Sequence, residues 1–544
     1  MPMTERTNRT VLLRGGNVYS PADPFATAML VEGEQVAWVG SDGAAEAYAD
    51  IADEVVELAG ALVTPAFVDA HVHATSTGLA LTGLDLTGCP TLAEALERIA
   101  RFAADAPAGG VLIGHGWDES GWPEGRPPTQ AELDRAAGGA ALYLSRTDVH
   151  SALASTALRA LTEDLAALPG HHPDGPLSRD AHHAVRAAAL AHLTPDQRRA
   201  AQLATLRRAA ELGIGALHEC AGPQISSEQD LAALLELAAA TDGPEVFGYW
   251  GELGGVDTAR RLGAVGAGGD LFVDGALGSH TACLHTPYAD AEHTGAAYLS
   301  AEQIADHVAA CTEAGLQAGF HAIGDAAVTA VLDGVRAAAD RVGPARVKAA
   351  RHRVEHAESL DDKSIAAFTE LGLTASVQPA FDAAWGGPDG MYVQRLGAER
   401  AAGLNPFAAL LKAGVPLAFG SDAPVTPLDP WGTVRAAAFH RTPEHRISVR
   451  AAFTAHTRGG WRALGRDQDG VLVPGAVASF AVWDATDLVV QAPDDRVAGW
   501  STDPRSGTPG LPDLTPGAPL PTCLRTVVRG RTVHVRRPAR RRPV

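Results

Sequence analysis

The chain has 544 residues, 46% of them hydrophobic and 20% charged, which is the composition of an ordinary soluble globular protein. Its 64 aspartates and glutamates outnumber its 44 lysines and arginines, and the net charge of −20 argues against nucleic-acid binding. No run of 18 apolar residues predicts a membrane span, and residues 1–20 lack the apolar block of a signal peptide. We therefore expect a cytoplasmic protein that does not contact membranes.

Short apolar runs separated by Gly, Pro and Asp predict small antiparallel strands at both ends of the chain. These runs are residues 10–13, 27–31, 35–39, 479–483 and 526–535. We predict that residues 1–62 and 469–536 build one β-sandwich together. The basic tail that follows, residues 537–544, is typical of a solvated, disordered end, with an acidic partner as the alternative.

Residues 63–468 alternate short apolar runs with amphipathic stretches of ten or more residues, the pattern of βα units around a parallel sheet. This α/β pattern predicts a (β/α)8 barrel. A doubly wound sheet would need a glycine-rich phosphate turn after its first strand, where the sequence has His71-Val72-His73 instead. An insertion at about residues 111–185, rich in Gly, Pro and Trp, is predicted to face the substrate. The five scattered cysteines form no CxxC pair and are expected to be reduced.

Several predicted barrel strands end in a potential metal ligand. His71 and His73 lie two residues apart at the end of an apolar run, so both imidazoles point to the same side of a strand. His321, His356 and Asp422 end later runs. Because all strand C-termini of a parallel barrel gather at one face, we expect these five side chains to meet there. Four histidines with one aspartate favour a transition metal, zinc above all, over calcium or magnesium.

The stretch Val63-Thr64-Pro65-Ala66-Phe67-Val68-Asp69-Ala70-His71-Val72-His73 resembles the opening of metal-dependent amidohydrolases. Further segments look like amidohydrolase family 3, the branch that contains N-substituted formamide deformylases. These segments are Asp274-Gly275-Ala276-Leu277-Gly278-Ser279, His321-Ala322-Ile323-Gly324-Asp325, Arg353-Val354-Glu355-His356-Ala357, Ser376-Val377-Gln378-Pro379 and Gly420-Ser421-Asp422-Ala423-Pro424. The resemblance implies a barrel whose metal site contains His71, His73, His321, His356 and Asp422.

The resemblance also implies a bridging carboxylated lysine, and this chain departs from the family there. The expected position, four residues before Asp274, holds Asp270, and the three lysines of the chain all lie elsewhere. Asp270 or Glu219 is a candidate replacement, and Cys220 is a softer one. The missing lysine favours one metal ion over two, held by His71, His73, His321 and Asp422, with His356 near the bound water.

These residues predict a hydrolase. A bound divalent ion lowers the pKa of its water to about 7 and polarises a substrate carbonyl. We expect Asp422 to accept the proton of that water and pass it to the leaving amine, while His356 orients the carbonyl. The predicted reaction is cleavage of a non-peptide C–N bond in a small amide, formamide or cyclic amide. A deaminase of an amidine-like or heterocyclic substrate and a non-catalytic relative are the alternatives.

Further residues are predicted to contact the substrate, partly because the inserted region resembles a family segment that lines the pocket. The small molecule is the expected partner, and a homodimer is expected only because barrel enzymes often associate. The candidate substrate-binding residues are Trp117, Asp118, Trp122, Asp148, His150 and Gln378.

Overall fold

The computed structural model describes residues 9–106, 109–119, 122–146, 151–491, 500–501 and 509–536. The chain divides into two compact units, one of residues 1–73 and 206–544 and the other of residues 74–205. The predicted basic tail lies outside the described residues. Among the described residues, no helix combines the length and the apolar character that crossing a membrane requires.

The first unit begins with short strands in two sheets. Its first elements are β1 (Thr10–Arg14), β2 (Asn17–Val18), β3 (Ala28–Glu32), β4 (Gln35–Gly40), α1 (Asp42–Ala49), β5 (Glu54–Glu57), β6 (Leu62–Pro65) and β7 (Phe67–Val72). One sheet has the order β4-β3-β1-β5. The strands were predicted to be antiparallel, but β1 pairs in parallel with β5 and β2 with β6. In each case the long connection between the paired strands gives the chain room to cross over, as parallel pairing requires.

The second unit is built on a five-stranded sheet of order β12-β11-β10-β9-β8. It contains the predicted insertion and extends beyond it on both sides. An apolar cluster that includes Leu86, Ile99, Trp117 and Leu142 forms its core. The elements are α2 (Ala74–Thr82), β8 (Leu84–Asp85), α3 (Leu92–Asp105), β9 (Val111–Trp117), α4 (Gln130–Ala136), β10 (Ala141–Arg146), β11 (Ser151–Ala154), α5 (Thr156–Arg159), β12 (Leu177–Ser178), α6 (Arg179–Ala191) and the first part of α7 (Pro195–Glu211).

The first unit continues as the barrel. Its eight parallel strands have the order β19-β18-β17-β16-β15-β14-β13-β7, which confirms the predicted (β/α)8 fold. The further elements are β13 (Ile214–Ala221), α8 (Glu228–Ala240), β14 (Glu245–Trp250), α9 (Val256–Leu262), β15 (Gly266–Ala267), α10 (Ala301–Ala314), β16 (Gln317–Ala322), α11 (Asp325–Val342), α12 (Pro344–Ala350), β17 (Arg353–His356), α13 (Asp362–Leu371), β18 (Thr374–Val377), α14 (Pro379–Trp385), α15 (Met391–Leu396), α16 (Ala398–Ala402), α17 (Phe407–Lys412), β19 (Leu417–Phe419), α18 (Pro430–Ala438), α19 (Val449–Ala455) and α20 (Arg458–Ala463).

The barrel closes where the residues after β19 meet β7. The amide of Asp422 donates a hydrogen bond of 2.8 Å to the carbonyl of His71, and the amide of His73 donates one of 3.0 Å to Ala423. All residues of β7, β13 and β16 are buried, as expected for parallel strands that are covered on both faces. Closure therefore places two candidate metal ligands, His71 in β7 and His73 just after it, directly beside Asp422.

The C-terminal strands belong to two sheets, one of which completes the β-sandwich. They are β20 (Phe480–Asp484), β21 (Leu488–Gln491), β22 (Trp500–Ser501), β23 (Leu511–Pro512), β24 (Thr522–Val528) and β25 (Arg531–Val535). Strands β20, β24 and β25 join β2 and β6 in a second sheet. Leu13, Met29 and Val36 of the N-terminal strands pack with Phe480 and Val527 in one apolar cluster. None of the five cysteines, all of which are among the described residues, forms a disulfide.

Candidate metal centre

Six polar side chains meet at the C-terminal mouth of the barrel. Five of them were predicted to converge there, and the sixth occupies the position of the missing lysine. All but one are buried, and the side chain of the exception, His73, is only 12% exposed. They are His71 in β7, His73 just after it, Asp270 in the segment after β15, His321 in β16, His356 at the end of β17 and Asp422 in the loop after β19.

The first group of potential ligands consists of His71, His73, Asp270 and Asp422. Oδ2 of Asp270 lies 3.4 Å from Nε2 of His71 and 3.2 Å from Nε2 of His73. Oδ1 of Asp422 lies 3.5 Å and 3.1 Å from the same two nitrogens. These four residues form one set whose ligand atoms are close enough to share an ion.

The second group consists of His321, His356 and the other oxygen of Asp270. Oδ1 lies 3.5 Å from Nδ1 of His321 and 3.4 Å from Nε2 of His356. These three residues form a second set of potential ligands, separate from the first. The predicted single set of His71, His73, His321 and Asp422 is thus divided, because His321 faces the opposite oxygen of Asp270 from His71 and His73.

The spacing of these atoms and their lack of hydrogen-bond partners both fit a bound metal ion. Nε2 of His71, Nδ1 of His321, Nε2 of His356, Oδ1 of Asp270 and Oδ1 of Asp422 are buried and have no hydrogen-bond partner. Ligands bound tetrahedrally at ~2.0–2.1 Å lie roughly 3.3 Å from one another, which is close to the spacing within both groups. Ions bound within the two groups would satisfy all five atoms.

The second nitrogen of each histidine is fixed by a hydrogen bond. Nδ1 of His71 lies 2.9 Å from Glu355 Oε2, and Nδ1 of His356 lies 2.8 Å from Gln378 Oε1. His73 and His321 use backbone carbonyls instead, those of Cys220 at 3.0 Å and Gly275 at 3.4 Å. The partners are acceptors, so in each case the N–H donates, and in the neutral ring the nitrogen that faces the carboxylates carries the lone pair. Such outer partners orient metal-binding histidines and select their tautomer.

A fully buried ion pair supports His71. Arg353 and Glu355 lie two residues apart on β17, so both side chains point into the barrel. Arg353 donates hydrogen bonds to both carboxylate oxygens of Glu355. Burial raises the pKa of Glu355, but the charge of Arg353 and the contact with His71 outweigh it and lower the pKa to about 2. The sequence reasoning missed this pair, although its i, i+2 spacing within a quoted motif was a usable signal.

The two aspartates make the mouth strongly attractive for positive charge. Burial alone would lower the pKa of His73, but contacts with Asp270 and Asp422 raise it well above its usual value. Burial would raise the pKa of Asp270, yet the charge of His71 and the contacts from other histidines hold it well below its usual range. Either protons or a cation can meet this demand for positive charge.

Glycines draw the segment that carries Asp270 against its neighbours. A side chain at Gly268 would collide with the backbone of Gly319 in β16, and one at Gly251 would collide with the backbone of Asp270. Beyond the glycines, the amide of His321 donates a hydrogen bond of 3.0 Å to the carbonyl of Leu271. The backbone of Asp270 therefore lies close enough to the strands for a short side chain to reach between the histidines.

The other candidate replacements for the lysine are Glu219 and Cys220. Glu219 is buried on β13, and the groups of potential ligands found among the described residues do not include it. Cys220 lies near His71 and Glu355, but burial raises the pKa of its thiol, which favours the protonated form over a thiolate ligand. Of the three candidates, only Asp270 lies between the two pairs of histidines.

The predicted substrate-binding residues have different surroundings. Gln378 is buried at the mouth, where it accepts the hydrogen bond from His356, and its Nε2 atom has no partner. Trp117 packs in the core of the second unit and donates to the carbonyl of Leu144 at 3.0 Å. Trp122 packs in that core as well, and Asp118 accepts a hydrogen bond from Arg146. Asp148 and His150 lie outside the described residues.

Residues 54–534 match the model of the amidohydrolase family. The chain belongs to this family. It is 28% identical over 521 residues to Protein LONG AFTER FAR-RED 3 of Arabidopsis thaliana, covering 87% of this chain and 88% of that protein. It is 25% identical over 527 residues to N-substituted formamide deformylase of Arthrobacter pascens, covering 89% of this chain and 94% of the relative.

A solved structure agrees with this assignment. The crystal structure of an uncharacterized metal-dependent hydrolase from Pyrococcus furiosus has a TM-score of 0.74 to this chain at 26% identity. The similarity covers 87% of this chain and 98% of that one. Family and fold together make the chain a hydrolase of the metal-dependent kind, in agreement with the unpartnered ligand atoms at the barrel mouth.

Proposed function

We propose that the protein hydrolyses a non-peptide C–N bond in a small amide, formamide or cyclic amide. The observation that carries this proposal is the placement of Asp422, whose Oδ1 atom is buried, unpartnered and beside the Nε2 atoms of His71 and His73. The name of the relative from Arthrobacter pascens, an N-substituted formamide deformylase, supports a formamide among the candidate substrates.

Side chains at the mouth of the barrel would hold the metal ion. His71, His73, Asp270 and Asp422 form the first set of ligands, and the mixture of imidazole and carboxylate favours zinc. The divalent ion, when bound, supplies Lewis-acid activation of water and of the substrate carbonyl. The protein contributes fixed ligand geometry in a buried site.

Asp422 moves the proton. Its carboxylate accepts a proton from the attacking water and delivers it to the nitrogen of the leaving amine, which departs only when protonated. The backbone of Asp422 has a φ of 55°, in the left-handed region, and its amide is tied to the carbonyl of His71. This anchor fixes the position from which the carboxylate carries the proton.

His356 acts as a ligand in this scheme. Its Nδ1–H donates to Gln378, so its Nε2 atom carries a lone pair towards Asp270 and does not donate to a substrate carbonyl. Gln378 positions His356 and has a free amide N–H for a substrate oxygen. In this proposal, Gln378 orients the substrate carbonyl, the role that the sequence predicted for His356.

Metal analysis combined with a substrate screen tests the proposal. We expect the purified protein to contain zinc, to hydrolyse members of a panel of N-formyl, N-acyl and cyclic amides, and to lose this activity after chelation. Added metal should restore it. The products distinguish the reactions, since hydrolysis of an amide releases a carboxylate with the amine, whereas a deaminase releases ammonia without a carboxylate.

A His307→Gln variant is the control for loss of a buried histidine outside the proposed metal centre. His307 is buried in α10, and both of its ring nitrogens already have protein partners. The variant should bind metal as the wild type does. Unchanged turnover after complete removal of the metal, or ammonia as the product without a carboxylate, would contradict the proposed hydrolysis.

A further inference from the structure

We infer that Asp270 bridges two metal ions, so that the centre is binuclear without any modified lysine. This inference rests on the proposed metal-dependent function and extends it from the presence of an ion to the number of ions. It differs from the single ion that the sequence favoured. The evidence is the way in which the two oxygens of one carboxylate are shared between two pairs of histidines.

Each oxygen of Asp270 belongs to a different ligand set. Oδ2 lies 3.4 and 3.2 Å from Nε2 of His71 and His73, and Oδ1 lies 3.5 and 3.4 Å from Nδ1 of His321 and Nε2 of His356. Asp422 completes the first set. A carboxylate whose two oxygens face two separate groups of nitrogen donors has the geometry of a bridge.

A single ion leaves part of the mouth unsatisfied. An ion among His71, His73, Asp270 and Asp422 does not engage His321 and His356, whose ligand atoms belong to the other set. Nδ1 of His321, Nε2 of His356 and Oδ1 of Asp270 would then remain buried without a partner. Buried polar atoms without partners are destabilising, and a second ion removes all three at once.

The hydrogen bonds of the other ring nitrogens of His321 and His356 also fit a bound metal ion. His321 and His356 each donate their other ring N–H to a fixed acceptor, the carbonyl of Gly275 and Oε1 of Gln378. In the neutral rings, the lone pairs of both are thereby directed at Oδ1 of Asp270, and a cation bound between the three atoms would be attracted by all of them. The same arrangement orients His71 and His73 in the first set.

The backbone explains how an aspartate reaches where a longer side chain was expected. Gly268 and Gly319 allow the segment after β15 to lie against β16, and Gly251 lets β14 approach the backbone of Asp270. The bridge is therefore supplied by an unmodified residue. Unlike a carboxylated lysine, it needs no carbon dioxide to form.

Metal stoichiometry and electron paramagnetic resonance of the manganese-loaded full-length protein test the bridge. We expect the wild type to bind two equivalents of Mn²⁺ and to show the spectrum of a spin-coupled pair, whether or not bicarbonate is present. Asp270→Asn keeps the size of the side chain but replaces one ligand oxygen with an amide nitrogen. This variant should lose the coupling and bind the second ion at least tenfold more weakly.

Glu219→Gln is the matched control, since it neutralises a buried barrel carboxylate outside both ligand sets. It should retain two ions and the coupled spectrum. A wild type that holds one ion, or two uncoupled ions, overturns the bridge even if the Asp270 variant fails to fold. Coupled ions retained in Asp270→Asn overturn it as well. A one-ion protein that hydrolyses amides leaves the proposed function intact, whereas an active protein that binds no metal refutes both.

Discussion

Two sets of buried histidines in the barrel differ in what their ring nitrogens contact. In α10, Nδ1 of His307 accepts a hydrogen bond from the amide of Gly254, and its Nε2–H donates to the carbonyl of Ala267. His352, just before β17, also has both nitrogens in hydrogen bonds. These rings are complete parts of the packing and have no free atom to offer a ligand.

At the mouth of the barrel, His71, His321 and His356 are equally buried but only half satisfied. Each has one nitrogen in a hydrogen bond and one without a partner. Burial therefore does not distinguish a functional histidine from a structural one in this protein. Among these five histidines, the distinction is an unpartnered nitrogen that faces a carboxylate.

The pKa values show the same contrast. Burial, with a contribution from the neighbouring His307, lowers the pKa of His352 to about 4. At the mouth, burial would likewise lower the pKa of His71, but the interactions with Cys220, Asp270 and Asp422 raise it well above its usual value. One region excludes charge and the other attracts it, so variants of the two regions should differ in kind.

The largest effect is expected from Asp422→Asn at the mouth. The amide is nearly isosteric but cannot accept and return a proton, so kcat should fall by roughly 10²–10⁴-fold, the usual contribution of general acid–base catalysis. Most of the metal should remain, because His71, His73 and Asp270 are unchanged. Steady-state kinetics and metal analysis on the same preparation measure the two outcomes.

Asp361→Asn controls for the chemistry of the substitution. Asp361 is an exposed residue whose side chain caps α13, and asparagine caps helices about as well as aspartate. This variant should behave as the wild type. An Asp422→Asn enzyme of nearly normal kcat would remove Asp422 from the proton-transfer role.

A smaller effect is expected from Glu355→Gln, which weakens the support behind His71. Loss of the negative charge weakens the acceptor that selects the tautomer of His71 and leaves Arg353 without its charge partner. Changes to such outer partners typically weaken metal binding by about 10–100-fold. Competition with a chromophoric chelator measures the affinity.

Glu245→Gln is the corresponding control at the other end of the barrel strands. Glu245 is the first residue of β14, and its carboxylate lies 3.8 Å from Arg466. Its neutralisation should leave metal affinity unchanged. Equal affinities in the Glu355 variant and the wild type would show that His71 is oriented without the ion pair.

The sequence was sufficient to predict which side chains converge but not how they are grouped. His71, His73, His321, His356 and Asp422 were recognisable because parallel strands in a barrel all end at the same mouth. The choice between Asp270 and Glu219 stayed open, since both follow or end predicted strands. It depends on glycine contacts such as that between Gly268 and Gly319, which bring distant parts of the chain together.

Trp117 shows a second kind of limit. Its place in a Gly- and Trp-rich insertion suggested contact with the substrate, whereas the structure gives its indole a partner in the core of the second unit. A tryptophan that packs and one that binds a ligand have the same sequence signature. Arg353 and Glu355, in contrast, were visible as a pair on one strand face, and strand periodicity alone would have identified them.

The smallest effect is expected from a histidine of the structural kind. Burial lowers the pKa of His456 to about 4, although its hydrogen bond to the carbonyl of Val68 opposes the shift. The unfolded chain takes up a proton near pH 6.5, whereas the folded chain keeps this ring neutral down to about pH 4. The contribution to stability is therefore complete above pH 6.5 and is lost as the pH falls from 6.5 to 4.

His456→Gln should flatten this acid loss without affecting the metal centre. For a shift of this size the contribution is on the order of 3 kcal/mol, or a few degrees in Tm for a protein of this length. His192→Gln is the control, because the ring of His192 makes the same Nδ1–H bond to a carbonyl, that of Ala188, but is exposed. Thermal unfolding of the three proteins between pH 4 and 8 measures the slopes. If the His456 variant loses stability towards pH 4 as steeply as the wild type, burial of this ring does not set the acid limit, and the contrast between charge-excluding and charge-attracting histidines loses its thermodynamic basis.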